Sequence, residues 1–265
     1  TGAGNDFVMV DNRDLTLSSV LDKEPIEALC DRRFGIGADG LIAVEPSQGK
    51  GGIVRMRYYN ADGGEAEMCG NGARCFGNFA AALLHHDKTA PLPFETMAGV
   101  TATFEKDGNV TVNLTNPHSM QLFVLNADPT VGADVHFLNT GVPHAVAFLD
   151  KLEGLDISRL GAYLRYHEAF SPKGTNANFA RILSPGHIAI RTYERGVEDE
   201  TLACGTGMTA CALLHAVLAD APSPIQVDVA GGDTLKVGFQ RTGDRFTDVT
   251  LTGPADLVFT GDIQI

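Results

Sequence analysis

A repeated tetrad constrains this chain more than any other feature. Cys69-Gly70-Asn71-Gly72 and Cys204-Gly205-Thr206-Gly207 stand 135 residues apart, and each runs into an alanine-rich apolar segment, Ala73 to Leu84 and Met208 to Leu218. Both segments are apolar nearly all the way round a helical wheel, the pattern of a helix buried inside a domain. Upstream of each tetrad lies a β-like run ending in a polar turn, Met56 to Asn60 and Ile190 to Arg195. The order strand, loop, cysteine, helix thus occurs twice, which reads as an internal duplication.

The remaining pattern is mostly short strands. Phe7 to Asp11, Leu41 to Val44, Val54 to Tyr59, Thr101 to Phe104, Val110 to Leu114, Ala145 to Leu149, Ile188 to Tyr193 and Ile225 to Val229 are β-like runs between Gly, Asn, Asp and Pro punctuation. With one buried helix per half, the expected class is α/β (α+β) in two similar domains. Asn116-Pro117 marks the boundary, because proline cannot continue a strand ladder. A length of 265 residues suits two domains of ordinary size.

Composition removes several function classes. Hydrophobic residues at 44% and charged residues at 20% support a folded core rather than disorder. Thirty-three acidic residues against 20 basic ones give a net charge of −13, which repels a phosphate backbone, so no nucleic-acid partner is expected. No run approaches the roughly 18 apolar residues of a membrane span, so no membrane partner is expected either. The opening Thr1-Gly2-Ala3-Gly4 lacks the basic and apolar regions of a signal peptide, and reads instead as a turn that a short strand should precede. The five cysteines are too sparse for a disulfide scaffold and suit a reducing, cytoplasmic setting.

The tetrads carry the chemistry. A cysteine just ahead of a helix meets unpaired backbone N–H groups and the positive end of the helix dipole, which favour the thiolate. The glycines beside it let a ligand approach the backbone, where the same N–H groups can hold a carboxylate. A single cysteine in such a place more often packs than reacts. Two of them, in duplicated halves that close on one pocket, suit inversion at a carbon acid: one base removes a proton from one face and a conjugate acid returns one to the other. This is racemase or epimerase chemistry on an amino acid, and it needs no cofactor.

Other roles for the same residues are weaker. Cys204 and Cys211 lie about 10 Å apart along a helix, beyond the roughly 7 Å limit for a disulfide. No C-x-x-C pair or compact His/Cys cluster occurs, and His85-His86 reads as a solvated helix end, so no metal is expected. Gly35-Ile36-Gly37-Ala38-Asp39-Gly40 matches the dinucleotide fingerprint, but Arg32-Arg33-Phe34 precedes it and a strand-like Leu41 to Val44 follows, the wrong context for that motif. Pyridoxal phosphate would make two cysteine bases redundant.

Five segments, in this order, resemble the signatures of the diaminopimelate epimerase family: Gly4-Asn5-Asp6-Phe7, Asn60-Ala61-Asp62-Gly63, Cys69-Gly70-Asn71-Gly72-Ala73-Arg74-Cys75, Tyr193-Glu194-Arg195-Gly196 and Ala203-Cys204-Gly205-Thr206-Gly207. The wider superfamily includes proline racemases and phenazine-biosynthesis isomerases, and Asn71 and the Glu194-Arg195 pair favour the diaminopimelate branch. The resemblance implies a cofactor-independent enzyme of lysine and peptidoglycan precursor biosynthesis, interconverting LL- and meso-diaminopimelate. It implies two pseudo-symmetric domains, residues 1–115 and 116–254, each a mixed β-structure wrapped around a central buried helix, with a final strand, residues 255–265, returning to the first half. Cys69 and Cys204 would be the two bases, assisted by His144 and Glu194. Asn5, Asn60, Asn176, Glu194 and Arg195 would contact substrate, and Gly70, Asn71, Gly205 and Thr206 would supply amides around the reacting carboxylate. The partner implied is the small-molecule substrate, and a homodimer is left open.

Two positions depart from the commoner family pattern. Val142 stands where many members have asparagine and Gly40 where many have glutamine, so the distal subsite reads as loosened and a shifted substrate range stays open. Apart from the resemblance, Asn5, Asn60, Asn176 and His144 read as ordinary turn and loop formers, and Glu194 with Arg195 as a surface pair worth under about 1 kcal/mol. The alternatives are a racemase of glutamate or proline type and a catalytically inactive small-molecule binder.

Overall fold

A computed structural model of the chain describes residues 1–66, 69–96 and 100–264. The chain divides into two compact units, one of Thr1–Asn113 together with the segment from Thr252 onward, the other of Leu114–Leu251. Among the described residues no helix is long and apolar enough to cross a membrane.

The first unit runs β1 (Phe7–Asp11), α1 (Lys23–Cys30), β2 (Gly40–Pro46), β3 (Val54–Asn60), β4 (Glu65–Ala66), α2 (Gly70–Leu83), β5 (Leu92–Glu95), β6 (Val100–Phe104) and β7 (Val110–Asn113). Its sheet has the order β1-β2-β3-β5-β6-β7, with β4 on the side of β3. The pairs β1/β2 and β3/β5 are parallel and β2/β3, β5/β6 and β6/β7 antiparallel. Leu41-Ile42-Ala43-Val44 is wholly buried because both faces of β2 are covered, which is why it reads as a continuous apolar run rather than an alternating one. Leu41 and Ala43 pack with Ile26 and Leu29 of α1, while the Ile42 methyl end reaches Gly72 of α2. Phe76 of α2 meets Phe94 of β5 at 4.6 Å between ring centroids. Gly77 lies so close to Ala102 of β6 that a side chain there would displace it. Small residues thus let α2 settle onto the sheet. At eight residues α1 is too short to hold alone, and it is kept by the Asp22 cap on the Lys23 N–H and by packing on β2.

The segment Gly35 to Gly40 leads from α1 into β2, the reverse of the strand-to-helix order that a dinucleotide site requires. The expected final strand is corrected: residues 254–264 have no regular secondary structure. They are tied to the first unit by single contacts instead, Asp256 N–H to the Thr1 carbonyl, the Thr1 amino group to the Asp256 carbonyl and Asn78 Nδ2 to the Ala255 carbonyl. No ladder of hydrogen bonds extends along them to make a strand.

Glu95 closes β5 and makes this unit's stability sensitive to acid. Its carboxylate accepts hydrogen bonds from the backbone N–H of Gln48 at 2.7 Å and of Lys50 at 2.6 Å, and from the Ser47 hydroxyl at 2.7 Å. These contacts, the Gln48 amide foremost, hold the carboxyl down to about 2 from an ordinary value of 4.5. A depressed carboxyl contributes stability that is present above the unfolded value and is lost as the pH falls toward the folded one. Glu95→Gln is therefore expected to lower Tm at pH 7, with the difference from the unmodified chain shrinking between pH 4.5 and 2. Thermal melts across that range check it, and a difference unchanged at low pH would contradict it.

The second unit runs β8 (His118–Asp128), β9 (Ala133–Asn139), β10 (Pro143–Phe148), α3 (Ile157–Arg165), β11 (Asn176–Ser184), β12 (His187–Glu194), β13 (Asp199–Thr201), α4 (Gly205–Ala219), β14 (Ile225–Asp228), β15 (Thr234–Thr242) and β16 (Arg245–Gly253). Its strand order is β16-β15-β14-β12-β11-β10-β9-β8, with β13 on β12. Here β10/β11 and β12/β14 are parallel. Alternation along the strands sorts the residues by face. Ala145, Ala147, Ala177, Phe179 and Tyr193 join Leu160 and Leu164 of α3 in one apolar cluster. The residues between them, His144, Asn176, Asn178 and Thr192, point to the opposite face, where α4 packs. Gly161 lets α3 lie directly on the Tyr193 ring. Nearly all of α4 from Gly205 to Ala216 is buried, as its all-round apolar sequence requires.

Candidate active site

Each unit presents one cysteine as the N-cap of its buried helix. Cys69 is extended at φ −135°, and its Sγ accepts the Gly72 N–H at 3.4 Å, standing where a serine or threonine cap would. Its S–H faces Asn5 Oδ1 at 3.6 Å, which also receives Asn71 Nδ2 at 3.4 Å. The other end of the Asn5 amide is held by Asp39, which accepts from Asn5 Nδ2 and from Arg32 at 2.9 Å. Asp6, beside it, is partly buried, which would raise its carboxyl, but the bonds from Arg32 and from the Asp39 amide outweigh burial and hold it low. Behind Asn71 the buried Arg74 donates to Asn71 Oδ1 at 3.1 Å and to the Gly70 carbonyl at 3.4 Å. Asn5, Asn71 and Cys69 therefore form one hydrogen-bonded group at the start of α2. Asn60 ends β3, exposed and paired in register with Gly40.

In the second unit Cys204 caps α4, 7% exposed, with its Sγ 3.5 Å from the Thr206 hydroxyl. The Thr206 carbonyl accepts from the buried Thr140 hydroxyl at 2.9 Å, which pins the turn leading to Pro143 and His144 onto the first turn of α4. Asn176 fixes the same region from the next strand: its Nδ2 donates to the Pro143 carbonyl at 2.9 Å and its Oδ1 accepts the Arg195 N–H at 2.8 Å. Glu194 Oε2 accepts from the Thr201 hydroxyl at 3.0 Å. His144 is fully buried; burial first, and then the nearby Arg195 charge, push its imidazole down to about 3, so it is neutral.

The other three cysteines have no such setting. Cys30 is pushed up to about 11 by burial and by Asp6 and Asp39, and burial also raises Cys75 and Cys211. Thiols of that kind are inert packing groups. Among the described residues no three His, Cys, Asp or Glu side chains converge as metal ligands do.

A family model for diaminopimelate epimerase matches residues 1–120 and 136–258. The chain belongs to the diaminopimelate epimerase family. The diaminopimelate epimerase of Flavobacterium psychrophilum is 42% identical over 260 residues, covering 97% of this chain and 96% of that protein. That of Chlorobaculum tepidum is 41% identical over 272 residues and covers both chains in full. Among solved structures, a phenazine biosynthesis protein of the PhzF family from Bacillus anthracis superposes with a TM-score of 0.69 at 16% identity, covering 95% of this chain and 91% of that one, a likeness of fold.

Several residues around this family's cysteines escaped the sequence reading. Asn178, Thr192 and Thr140 are buried polar groups in the second unit, and Asp39 and Arg74 hold Asn5 and Asn71 in the first. A signal existed for Asn178: it and Asn176 stand two apart in the otherwise apolar Ala177-Phe179-Ala180 strand, and polar residues at that spacing share one inward face. The Gly40 backbone sits tightly against β3. A Cβ there would meet the Tyr59 carbonyl and lie 2.8 Å from the Tyr58 ring, so the strand contact itself demands glycine. The Val142 carbonyl accepts the Thr140 N–H at 3.2 Å.

Proposed function

We propose that this chain interconverts LL- and meso-diaminopimelate by two-base proton transfer at one α-carbon, with Cys69 and Cys204 as the bases. The observation that carries the reading is the cysteine N-cap on the buried helix of each unit, in a chain of this family. A thiolate takes the α-proton from one face and becomes a thiol. The opposing thiol delivers its own proton to the other face and becomes a thiolate, so one inversion exchanges the roles of the two sulfurs. Backbone amides of Gly70, Asn71, Gly205 and Thr206 supply donors for the α-carboxylate, on which charge grows as the carbon loses its proton. Arg195, with Asn60 and Asn176, takes the distal carboxylate, and His144 and Glu194 assist the thiols. Both Asn176 amide atoms already serve the chain, so its part is chiefly to hold the Arg195 turn.

The reading assigns both proton transfers to protein groups, and the product serves lysine and peptidoglycan precursor synthesis. Two working thiols call for a reducing setting, and the cytoplasm provides one. Incubation of the purified chain under reducing conditions with LL-diaminopimelate, followed by chiral separation, should yield the meso isomer up to an equilibrium mixture. Turnover of proline or glutamate in preference to diaminopimelate would overturn the substrate assignment.

A further inference from the structure

The sheet face beneath α4 determines where the proton on His144 sits. Asn178 is fully buried, and its amide has three partners. One amide atom lies 3.1 Å from the Ala145 carbonyl, which can only accept, so that atom is Nδ2. The other, Oδ1, accepts the Thr192 hydroxyl at 3.0 Å. The same Nδ2 stands 3.1 Å from His144 Nδ1. Two N–H groups cannot face each other at that distance, so His144 Nδ1 presents its lone pair and the ring proton is on Nε2.

We propose that Asn178 is a positioning residue that locks His144 in the Nε2–H tautomer, making it a fixed hydrogen-bond donor and not a proton carrier. The lock rests on the proposed function only for the reaction it serves. His144 Nε2 is buried with no hydrogen-bond partner among the described residues. A buried donor of this kind calls for an acceptor from outside the protein, an ordered water or a group of the bound substrate. Burial and the Arg195 charge keep the ring neutral, in agreement with the geometry. The arrangement also explains the last residue of the second tetrad. A Cβ at Gly207 would overlap Asn178 Oδ1 and lie 3.4 Å from Cys204 Sγ, so glycine is what allows the amide to sit directly under the cysteine.

The test uses the whole chain labelled with 15N-histidine and no substrate. A long-range proton–nitrogen spectrum, with the His144 signals assigned by their loss in His144→Gln, should show a protonated Nε2 and an unprotonated Nδ1. An Nδ1–H ring, or an average of both tautomers, would overturn the proposal. Asn178→Asp, whose carboxylate accepts rather than donates, should move the proton to Nδ1 and lower kcat by about tenfold or more. A folded Asn178→Asp chain that keeps the Nε2–H ring would count against the lock. Should that variant not fold, His144→Gln and His144→Asn decide: glutamine places an N–H near the Nε2 position, asparagine near Nδ1. The glutamine variant should retain about tenfold more kcat than the asparagine variant, and equal or reversed activities would overturn the proposal. The tautomer is read without substrate, so the two readings fail separately. A chain with the Nε2–H ring that leaves diaminopimelate unchanged loses the proposed function alone, and one that epimerises it with an Nδ1–H ring loses the lock alone.

Discussion

Replacement of either Cys69 or Cys204 by alanine is expected to abolish epimerisation while leaving the chain folded. Each face of the substrate needs its own proton carrier, and a positioned acid or base contributes about 10²- to 10⁴-fold, so each single variant should lose at least that. The structural cost is smaller. Cys69 Sγ accepts one amide of α2 at 3.4 Å, and losing a cap of that kind costs about 1 kcal/mol. Cys211→Ala is the opposite case. Its thiol is fully buried in α4, so truncation leaves a small cavity and lowers stability, with turnover kept. Rate measurements paired with thermal melts on the three variants separate the two effects, and near-normal turnover by Cys69→Ala or Cys204→Ala would sink the two-base assignment.

Arg195→Ala should cause the second large loss. The Arg195 backbone is tied to Asn176 Oδ1 at 2.8 Å, and its Nη1 reaches the Lys173 carbonyl at 3.4 Å, a long bond that a bidentate carboxylate can displace. Losing a charge-assisted contact in a closed pocket costs on the order of 2 to 5 kcal/mol, against about 1 for one neutral hydrogen bond. The specificity constant for diaminopimelate should therefore fall by a factor of tens to thousands, mainly through KM if the distal group is bound equally in ground and transition states. Val142→Asn, which adds one neutral amide near the same group, should change it by about tenfold or less, upward if the turn held by Thr140 admits the side chain. Steady-state kinetics on the two variants check both, and an Arg195→Ala chain with a normal KM and kcat would remove the distal carboxylate from the assignment.

What could be read from the sequence follows from where the physics is local. The tetrads announce the helix starts because cysteine and glycine must sit where backbone amides are exposed. Leu41 to Val44 reads as a strand because both faces are buried. The short α1 was missed because Pro25 and three charges break its apolar rhythm, and it is held by β2 rather than by its own propensity. Strand β8, His118–Asp128, was missed because it is largely exposed and broken by register shifts, with Ser119, Phe123 and Ala127 at positive φ, so neither alternation nor burial marks it. At the site, the cysteines carry their chemistry in their own setting. Asn178 meets His144, Thr192 and Gly207, which are 34, 14 and 29 positions away in the chain, and no local pattern encodes such a meeting.

The central claim is that two different groups handle the two protons, and isotope placement tests it most directly. LL-diaminopimelate is turned over to low conversion in deuterated water under reducing conditions, and the product and the residual substrate are separated and weighed by mass spectrometry. A thiolate and an opposing thiol predict meso product carrying one solvent deuterium at the inverted α-carbon, with residual substrate still unlabelled, because the proton taken from one face is not the one returned to the other. Product that retains the original hydrogen would contradict the account, since a single group would then be carrying the proton across.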